Sequence, residues 1–177
     1  RRAWGVRTIG EFMKVSGVSA ISRRTVLGLA AAGAALSGVA ACAASPRVYT
    51  LAVNRDAGCG CCHGWMTLMQ RSGRFSATMR DEPDMPALKH RLGVPDDLAS
   101  CHTAEVEGYV IEGHVPSADI VRLLEQRPAG VRGLSVPGMP IGSPGMEQSG
   151  GGRDAFDVIA FRADGERNVF AHYAAQI

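Results

Sequence analysis

The sequence has no basic patch and lacks the motifs of several enzyme classes. In residues 46–177, 13 lysines and arginines accompany 16 aspartates and glutamates, which gives this part of the chain a net charge of −3. A mildly acidic chain without clustered basic residues does not indicate a nucleic-acid partner. It also contains no recognisable Ser-His-Asp set, phosphate-binding glycine loop or pair of catalytic carboxylates, so hydrolase and nucleotide-dependent activities have no support.

A long apolar run is also missing, because the apolar, alanine-rich run near the start of the chain covers only residues 27–41. That stretch is too short and too rich in small side chains to favour a membrane span. It directly follows the sequence SRRTVL at residues 22–27, a combination typical of a twin-arginine export signal. We therefore expect residues 1–45 to be an export leader and residues 46–177 to form one exported domain in the periplasm.

The end of the leader allows two processing routes. Residues 39–42 read VAAC, which resembles a bacterial lipoprotein box with Cys42 as the lipidated residue. The alternative is cleavage at a nearby small residue, with Cys42 discarded. The first route predicts a lipid anchor on Cys42 as the link to the membrane, and the second predicts a protein free in the periplasm.

Cysteine is scarce, yet three of the five cysteines lie within four positions, at Cys59, Cys61 and Cys62. Cys59 and Cys62 have C-x-x-C spacing near a predicted helix start, where the helix dipole favours thiolate over thiol. Such a pair suits a thiol–disulfide oxidoreductase. A two-electron switch does not need Cys61, however, and the third thiol favours a soft-metal site.

Crowded thiolates favour copper over zinc. Cu(I) accepts two or three sulfur ligands with loose geometry, whereas Zn(II) requires four ligands in a tetrahedron. Because Cys61 and Cys62 are neighbours, we do not expect both to reach one small ion together with Cys59. A thiol redox site and a structural disulfide or zinc site are the alternatives.

Further candidate ligands follow the cysteine cluster. Cys101 and His102 form a second thiol–imidazole pair, and His114 lies beside a Val-Pro turn. Met139 and Met146 lie in a glycine- and proline-rich stretch, where a thioether can bind Cu(I) but suits Zn(II) poorly. The alternatives are core or turn positions for the first three residues, and packing of the loop onto the core through Met139.

The apolar pattern predicts an α/β domain. Strands are predicted at 48–53, 75–80, 103–112, 156–161 and 168–173, and helices at about 62–71, 85–92 and 118–126. A long loop is predicted over 127–153, and a turn at 163–166 joins the last two strands as a hairpin. A cysteine motif between the first strand and the first helix is typical of a thioredoxin-like fold, with a mixed central sheet flanked by helices and a C-terminal β-hairpin.

Four motifs, in order, resemble those of one bacterial family. They are CGCC at 59–62, CHT at 101–103, EGHVP at 112–116 and GMPIGSPGME at 138–147. They look like the metal-binding family catalogued as domain of unknown function 411, which includes periplasmic copper-resistance proteins with a C-x-C-C thioredoxin-like fold. The resemblance covers nearly all of residues 47–174. It implies a small exported protein that holds one or several Cu(I) ions in a cysteine-rich site for copper tolerance.

The resemblance also implies a ligand set and a partner. The matching positions are Cys59, Cys61, Cys62, Cys101, His102 and His114, with Met139 and Met146 in the matching loop. Copper ions are the expected cargo, and a copper efflux or delivery protein is the expected partner in metal transfer. The alternative function is a periplasmic thiol–disulfide or Cu(I)/Cu(II) oxidoreductase that uses the Cys59/Cys62 pair.

Overall fold

One mixed sheet of seven strands organises the computed structural model, which describes residues 46–176. The predicted export leader and Cys42 lie outside the described residues. The strands are β1 (Tyr49–Arg55), β2 (Phe75–Asp81), β3 (His102–Val106), β4 (Tyr109–Glu112), β5 (Val131–Ser135), β6 (Phe156–Arg162) and β7 (Arg167–Tyr173). The helices are α1 (Gly60–Arg71), α2 (Met85–Leu92) and α3 (Ser117–Gln126), with a 3₁₀ helix at Asp96–Leu98.

The strand order in the sheet is β2-β1-β3-β4-β5-β6-β7. The pairs β1–β2 and β4–β5 are parallel, and the other neighbours are antiparallel. The predicted α/β class, the mixed sheet and the C-terminal hairpin β6–β7 are confirmed. The thioredoxin-like assignment stays a prediction.

Helices cover both faces of the sheet. Successive strand residues point to opposite faces, and on β4 Val110 and Ile111 belong to two different apolar clusters. Ile111 packs in the larger cluster, which includes Trp65 of α1 and Leu123 of α3. Val110 packs with Leu88 of α2 in the smaller cluster. Helices α1 and α3 therefore lie on one face and α2 on the other, which confirms the predicted flanking helices.

The predicted strand over 103–112 is wrong, because the segment forms two strands. Glu107 and Gly108 both have positive φ angles, 48° and 85°, and form a two-residue hairpin turn between β3 and β4. The hairpin pairs Thr103 with Glu112 and Val106 with Tyr109. Two turn residues interrupt the alternation of apolar and polar positions so briefly that the segment resembles one continuous strand.

The predicted loop over 127–153 is also wrong in its first part, which contains β5. Gly133 lies at the centre of this strand, and a Cβ atom there would overlap the carbonyl oxygen of Val110 and lie 2.8 Å from the ring of Phe161. The glycine therefore permits close strand packing here. The three predicted helices and the other four predicted strands agree with the structure within two residues at each end.

Within the described residues, no helix combines the length and the apolar character that a membrane crossing requires.

Candidate metal centre

The first turn of α1 carries the clustered cysteines. Strand β1 ends at Arg55, and the chain turns so that the N–H of Cys59 donates to the carbonyl of Asp56 at 3.1 Å. Helix α1 begins one residue later, at Gly60, with Cys59 as its N-cap residue. The first turn, GCCH, contains no acidic side chain. The positive end of the helix dipole therefore acts on the sulfur atoms.

Cys59 and Cys62 form a disulfide, with their Cα atoms 5.6 Å apart. Among the described residues, Cys61 and Cys101 are the free cysteines, and both are partly buried. Cys61 Sγ lies 3.5 Å from Cys59 Sγ and 3.9 Å from Cys101 Sγ, and Cys62 Sγ lies 3.6 Å from Cys101 Sγ. All four sulfurs are within 4.8 Å of one another.

The four sulfurs lie close together, with Cys59 and Cys62 joined in a disulfide. The expectation that Cys61 and Cys62 do not both reach one small ion together with Cys59 stays a prediction. Both cysteines lie in the first turn of α1, where Cys62 is fully buried and Cys61 is partly exposed. Cys101 lies immediately before β3, and its sulfur is within 4 Å of both the Cys61 and the Cys62 sulfurs. Adjacent helical cysteines thus meet at a third cysteine supplied by another element.

The β3–β4 hairpin supplies one thiol and two imidazoles. Cys101 immediately precedes β3, and the N–H of Gly113 donates to the carbonyl of His102 at 2.9 Å, which continues the hairpin pairing toward His114. Cys101 Sγ lies 3.3 Å from His102 Nδ1 and 3.1 Å from His114 Nε2. These three ligand atoms also lie within 4.8 Å of one another. The two groups of candidate ligands share Cys101.

His114 is oriented by the loop that follows β5. Its side chain is fully buried, and Nδ1 lies 2.7 Å from the carbonyl oxygen of Pro144. Because a carbonyl only accepts, Nδ1 carries the proton and Nε2 presents a lone pair toward Cys101. Burial lowers the pKa of His114, although the Pro144 carbonyl and the charge of Glu147 oppose this effect. The imidazole is therefore neutral near pH 7, the form that binds metal.

His102 lies deeper than His114. Its ring centroid is 4.4 Å from that of Trp65, and its Nε2 atom is buried without a hydrogen-bond partner among the described residues. Burial lowers the pKa of His102 to about 3, with smaller electrostatic contributions from His114, which repels a second positive charge when it is itself protonated, and from Lys89. Its Nδ1 atom is the nitrogen directed at Cys101.

Cys101 is a thiol rather than a thiolate in the metal-free protein. Burial is the main cause that raises its pKa to about 12, and the charge and hydrogen bond of neighbouring Cys61 contribute to the same increase. A metal ion that binds here must therefore displace a proton from Cys101, which makes binding depend on pH.

The loop 137–147 packs against the start of α1. Gly145 has a φ angle of 87°, and a Cβ atom there would lie 2.5 Å from the backbone nitrogen of Trp65. Met146 of this loop is partly buried, and Met139 is 52% exposed. Coordination of metal by either methionine stays a prediction.

Glu112 and Lys89 are residues that the sequence analysis missed. The Glu112 side chain is fully buried and forms an ion pair with Lys89 Nζ, directly behind the Cys101–His102 segment. Burial raises the pKa of Glu112, whereas Lys89 and the hydrogen bonds from Thr103 and Ser100 lower it. The sequence does contain a signal for these two residues. Lys89 is the single lysine in residues 46–177, and Glu112 lies two positions before the candidate ligand His114.

Comparison with known proteins identifies the family. Residues 98–146 match the family model described as "Protein of unknown function, DUF411". Two solved structures, named copper resistance protein copG Form 1 and Form 2, are each 44% identical to this chain. The matches cover 73% and 72% of this chain and 99% of each solved chain, with a TM-score of 0.66 in both cases. The chain belongs to the DUF411 family.

The predicted family membership is thus confirmed. The DUF411 match includes Cys101, His102, His114 and both loop methionines, and it begins after the cysteine cluster of α1. No curated protein sequence matches the chain.

Proposed function

We propose that this DUF411 protein binds copper as Cu(I) and serves copper tolerance or metal transfer. The observation that supports this most directly is the convergence of four sulfurs and two imidazole nitrogens in two groups that share Cys101. Thiolate and imidazole are ligands that suit Cu(I). The two solved relatives are named copper resistance proteins, which supports the same conclusion.

The proposed ligands are available only after reduction of the Cys59–Cys62 disulfide. Two electrons and two protons from an external dithiol convert the disulfide into two thiols, and the dithiol becomes a disulfide. Cu(I) then displaces the thiol protons and bonds to the sulfurs. Cys101 contributes to either group, His102 through Nδ1 and His114 through Nε2. Met139 and Met146 of the loop are proposed as supplementary soft ligands.

The location proposed for this activity is the periplasm. The twin-arginine pattern supports export, and Cys42 supports a lipid anchor as one of the two processing routes. A copper efflux or delivery protein is the proposed partner for metal transfer, and no nucleic-acid partner is proposed.

Anaerobic titration of the reduced protein with Cu(I) tests the function. We expect at least one tightly held copper ion per chain by metal analysis, and a higher melting temperature because binding stabilises the folded state. Cys61→Ser is expected to lower the copper content. The same titration with Zn(II) is the metal control. Reduced wild-type protein that takes up no Cu(I) refutes the proposal.

A second candidate function, thiol–disulfide exchange, is favoured by the Cys59–Cys62 disulfide at the start of α1. An external thiolate would attack one sulfur of this bond and release the other as a thiolate, which the helix dipole stabilises. Insulin reduction by the purified protein, measured before and after Cys61→Ser, separates the two functions. Exchange activity that survives the substitution favours the enzyme, and a fall in copper content favours the carrier.

A further inference from the structure

A buried network of charged and hydroxyl side chains is hydrogen-bonded to the segment that carries two of the candidate ligands. Glu112 accepts hydrogen bonds from the backbone N–H of Ser100 at 2.6 Å and from Thr103 Oγ1 at 2.7 Å, and it pairs with Lys89 Nζ. Lys89 Nζ also donates to Thr103 Oγ1 at 2.9 Å. The Glu112 side chain is fully buried, and that of Lys89 is 14% exposed.

In the sequence, residues of this network are close neighbours of the candidate ligands. Ser100 immediately precedes Cys101, Thr103 immediately follows His102, and Glu112 lies two residues before His114. The carboxylate therefore holds the backbone N–H of Ser100 on one side of the Cys101–His102 pair and the side-chain hydroxyl of Thr103 on the other. Glu112 itself ends the strand that leads to His114. Lys89, which lies on α2, ties these segments to the opposite face of the sheet.

Stability alone does not account for a buried ion pair. Removing two charges from water is costly, and well-packed apolar side chains of similar volume often serve folding equally well. By contrast, partners that hold metal ligands in position commonly change metal affinity by about 10- to 100-fold when they are removed. The position of the Glu112–Lys89 pair beside three candidate ligands favours this second role.

We propose that the buried Glu112–Lys89 pair is a positioning device, which holds Cys101, His102 and His114 in the arrangement that binds Cu(I) without contacting the ion. The inference rests on the proposed function, because it assumes that these three residues are copper ligands. It assigns to Glu112 and Lys89 a role in affinity and coordination in addition to folding.

The test compares variants of the reduced full chain. Glu112→Gln keeps the shape of the side chain and removes its charge, and Lys89→Met removes the opposite charge. Asp119→Asn is the matched control, because Asp119 is also a buried carboxylate but bonds to Arg122 and Tyr173, away from the candidate ligands. The readouts are the Cu(I) dissociation constant, from competition with a chromophoric Cu(I) chelator, and the ratio of sulfur to nitrogen ligands, from X-ray absorption.

We expect Glu112→Gln and Lys89→Met each to raise the Cu(I) dissociation constant by about tenfold or more and to change the ligand ratio. Asp119→Asn should lower the melting temperature and leave both copper readouts as in the wild type. If Glu112→Gln does not fold, as judged by circular dichroism, Lys89→Met tests the positioning role instead. Lys89 is the more exposed residue of the pair, so its replacement disturbs folding less.

Two results have different consequences. If the folded variants bind Cu(I) with wild-type affinity and ligand ratio, the positioning role is refuted while the proposed function stands. If the wild-type protein itself binds no Cu(I), the proposed function is refuted and the inference with it.

Discussion

Replacement of Gly145 by alanine should uncouple the loop 137–147 from α1. The added Cβ would lie 2.5 Å from the backbone nitrogen of Trp65, about 1 Å closer than an ordinary contact. The neighbouring atoms belong to the backbone of α1, which cannot easily shift. We therefore expect the loop to move away from the helix. That movement separates the Pro144 carbonyl from His114 Nδ1, which are 2.7 Å apart in the structure.

The expected cost has three parts. The positive φ angle of Gly145 costs an alanine about 1 to 2 kcal/mol. The clash with α1 adds about 1 to 3 kcal/mol, and the lost hydrogen bond to His114 adds about 1 kcal/mol. We therefore expect Gly145→Ala to lower the free energy of unfolding by about 3 to 6 kcal/mol and to weaken Cu(I) binding.

Gly138→Ala in the same loop is the matched control. Gly138 also has a positive φ angle, 67°, but a Cβ atom there meets nothing within 4 Å. Only the backbone cost of about 1 to 2 kcal/mol applies to it. Urea denaturation measures both variants, and chelator competition measures their Cu(I) affinity. Equal destabilisation by the two substitutions, with unchanged Cu(I) affinity, would show that the contact with α1 does not hold the loop.

Two further predictions concern pH. The pKa of His102 falls from an ordinary 6.5 to about 3 on folding, so its contribution to stability is complete above pH 6.5 and is lost as the pH falls toward 3. Urea denaturation of the metal-free protein at pH 7 and pH 4 should show this loss, and His102→Gln should reduce the difference between the two. The pKa of Tyr173 rises from 10 to about 12, mainly through burial and next through its hydrogen bond to Asp119, so its contribution is present below pH 10 and is lost as the pH rises through 12. Tyr173→Phe should flatten the alkaline part of the stability curve, and an unchanged slope above pH 10 would contradict this assignment.

The ligand types could be predicted from the sequence, because they depend on residue identity and short spacing. Cys59, Cys61 and Cys62 lie within four positions, so their proximity needs only one turn of helix. Their convergence with Cys101 does not follow from spacing, because it depends on the tertiary packing that brings Cys101 to the start of α1. Only the family resemblance implied it.

The group of Cys101, His102 and His114 forms only because the chain turns between β3 and β4. The alternation of apolar and polar residues over 103–112 does not reveal this turn. If residues 103–112 formed one continuous strand, its ends would lie about 30 Å apart, at about 3.3 Å per residue. The turn at Glu107 and Gly108 instead pairs Thr103 with Glu112 and allows His114 Nε2 to approach Cys101 Sγ at 3.1 Å. The same turn places Glu112 opposite Thr103, whose hydroxyl donates to the buried carboxylate.

The bond between Cys59 and Cys62 also has a consequence for handling the protein. With this bond intact, two of the four clustered sulfurs are held as a neutral pair, whereas the fully reduced protein offers all four as thiols. Two samples of identical sequence can therefore differ by two electrons before any metal is added. Metal capacities of different preparations are comparable only after the free thiols of each have been counted.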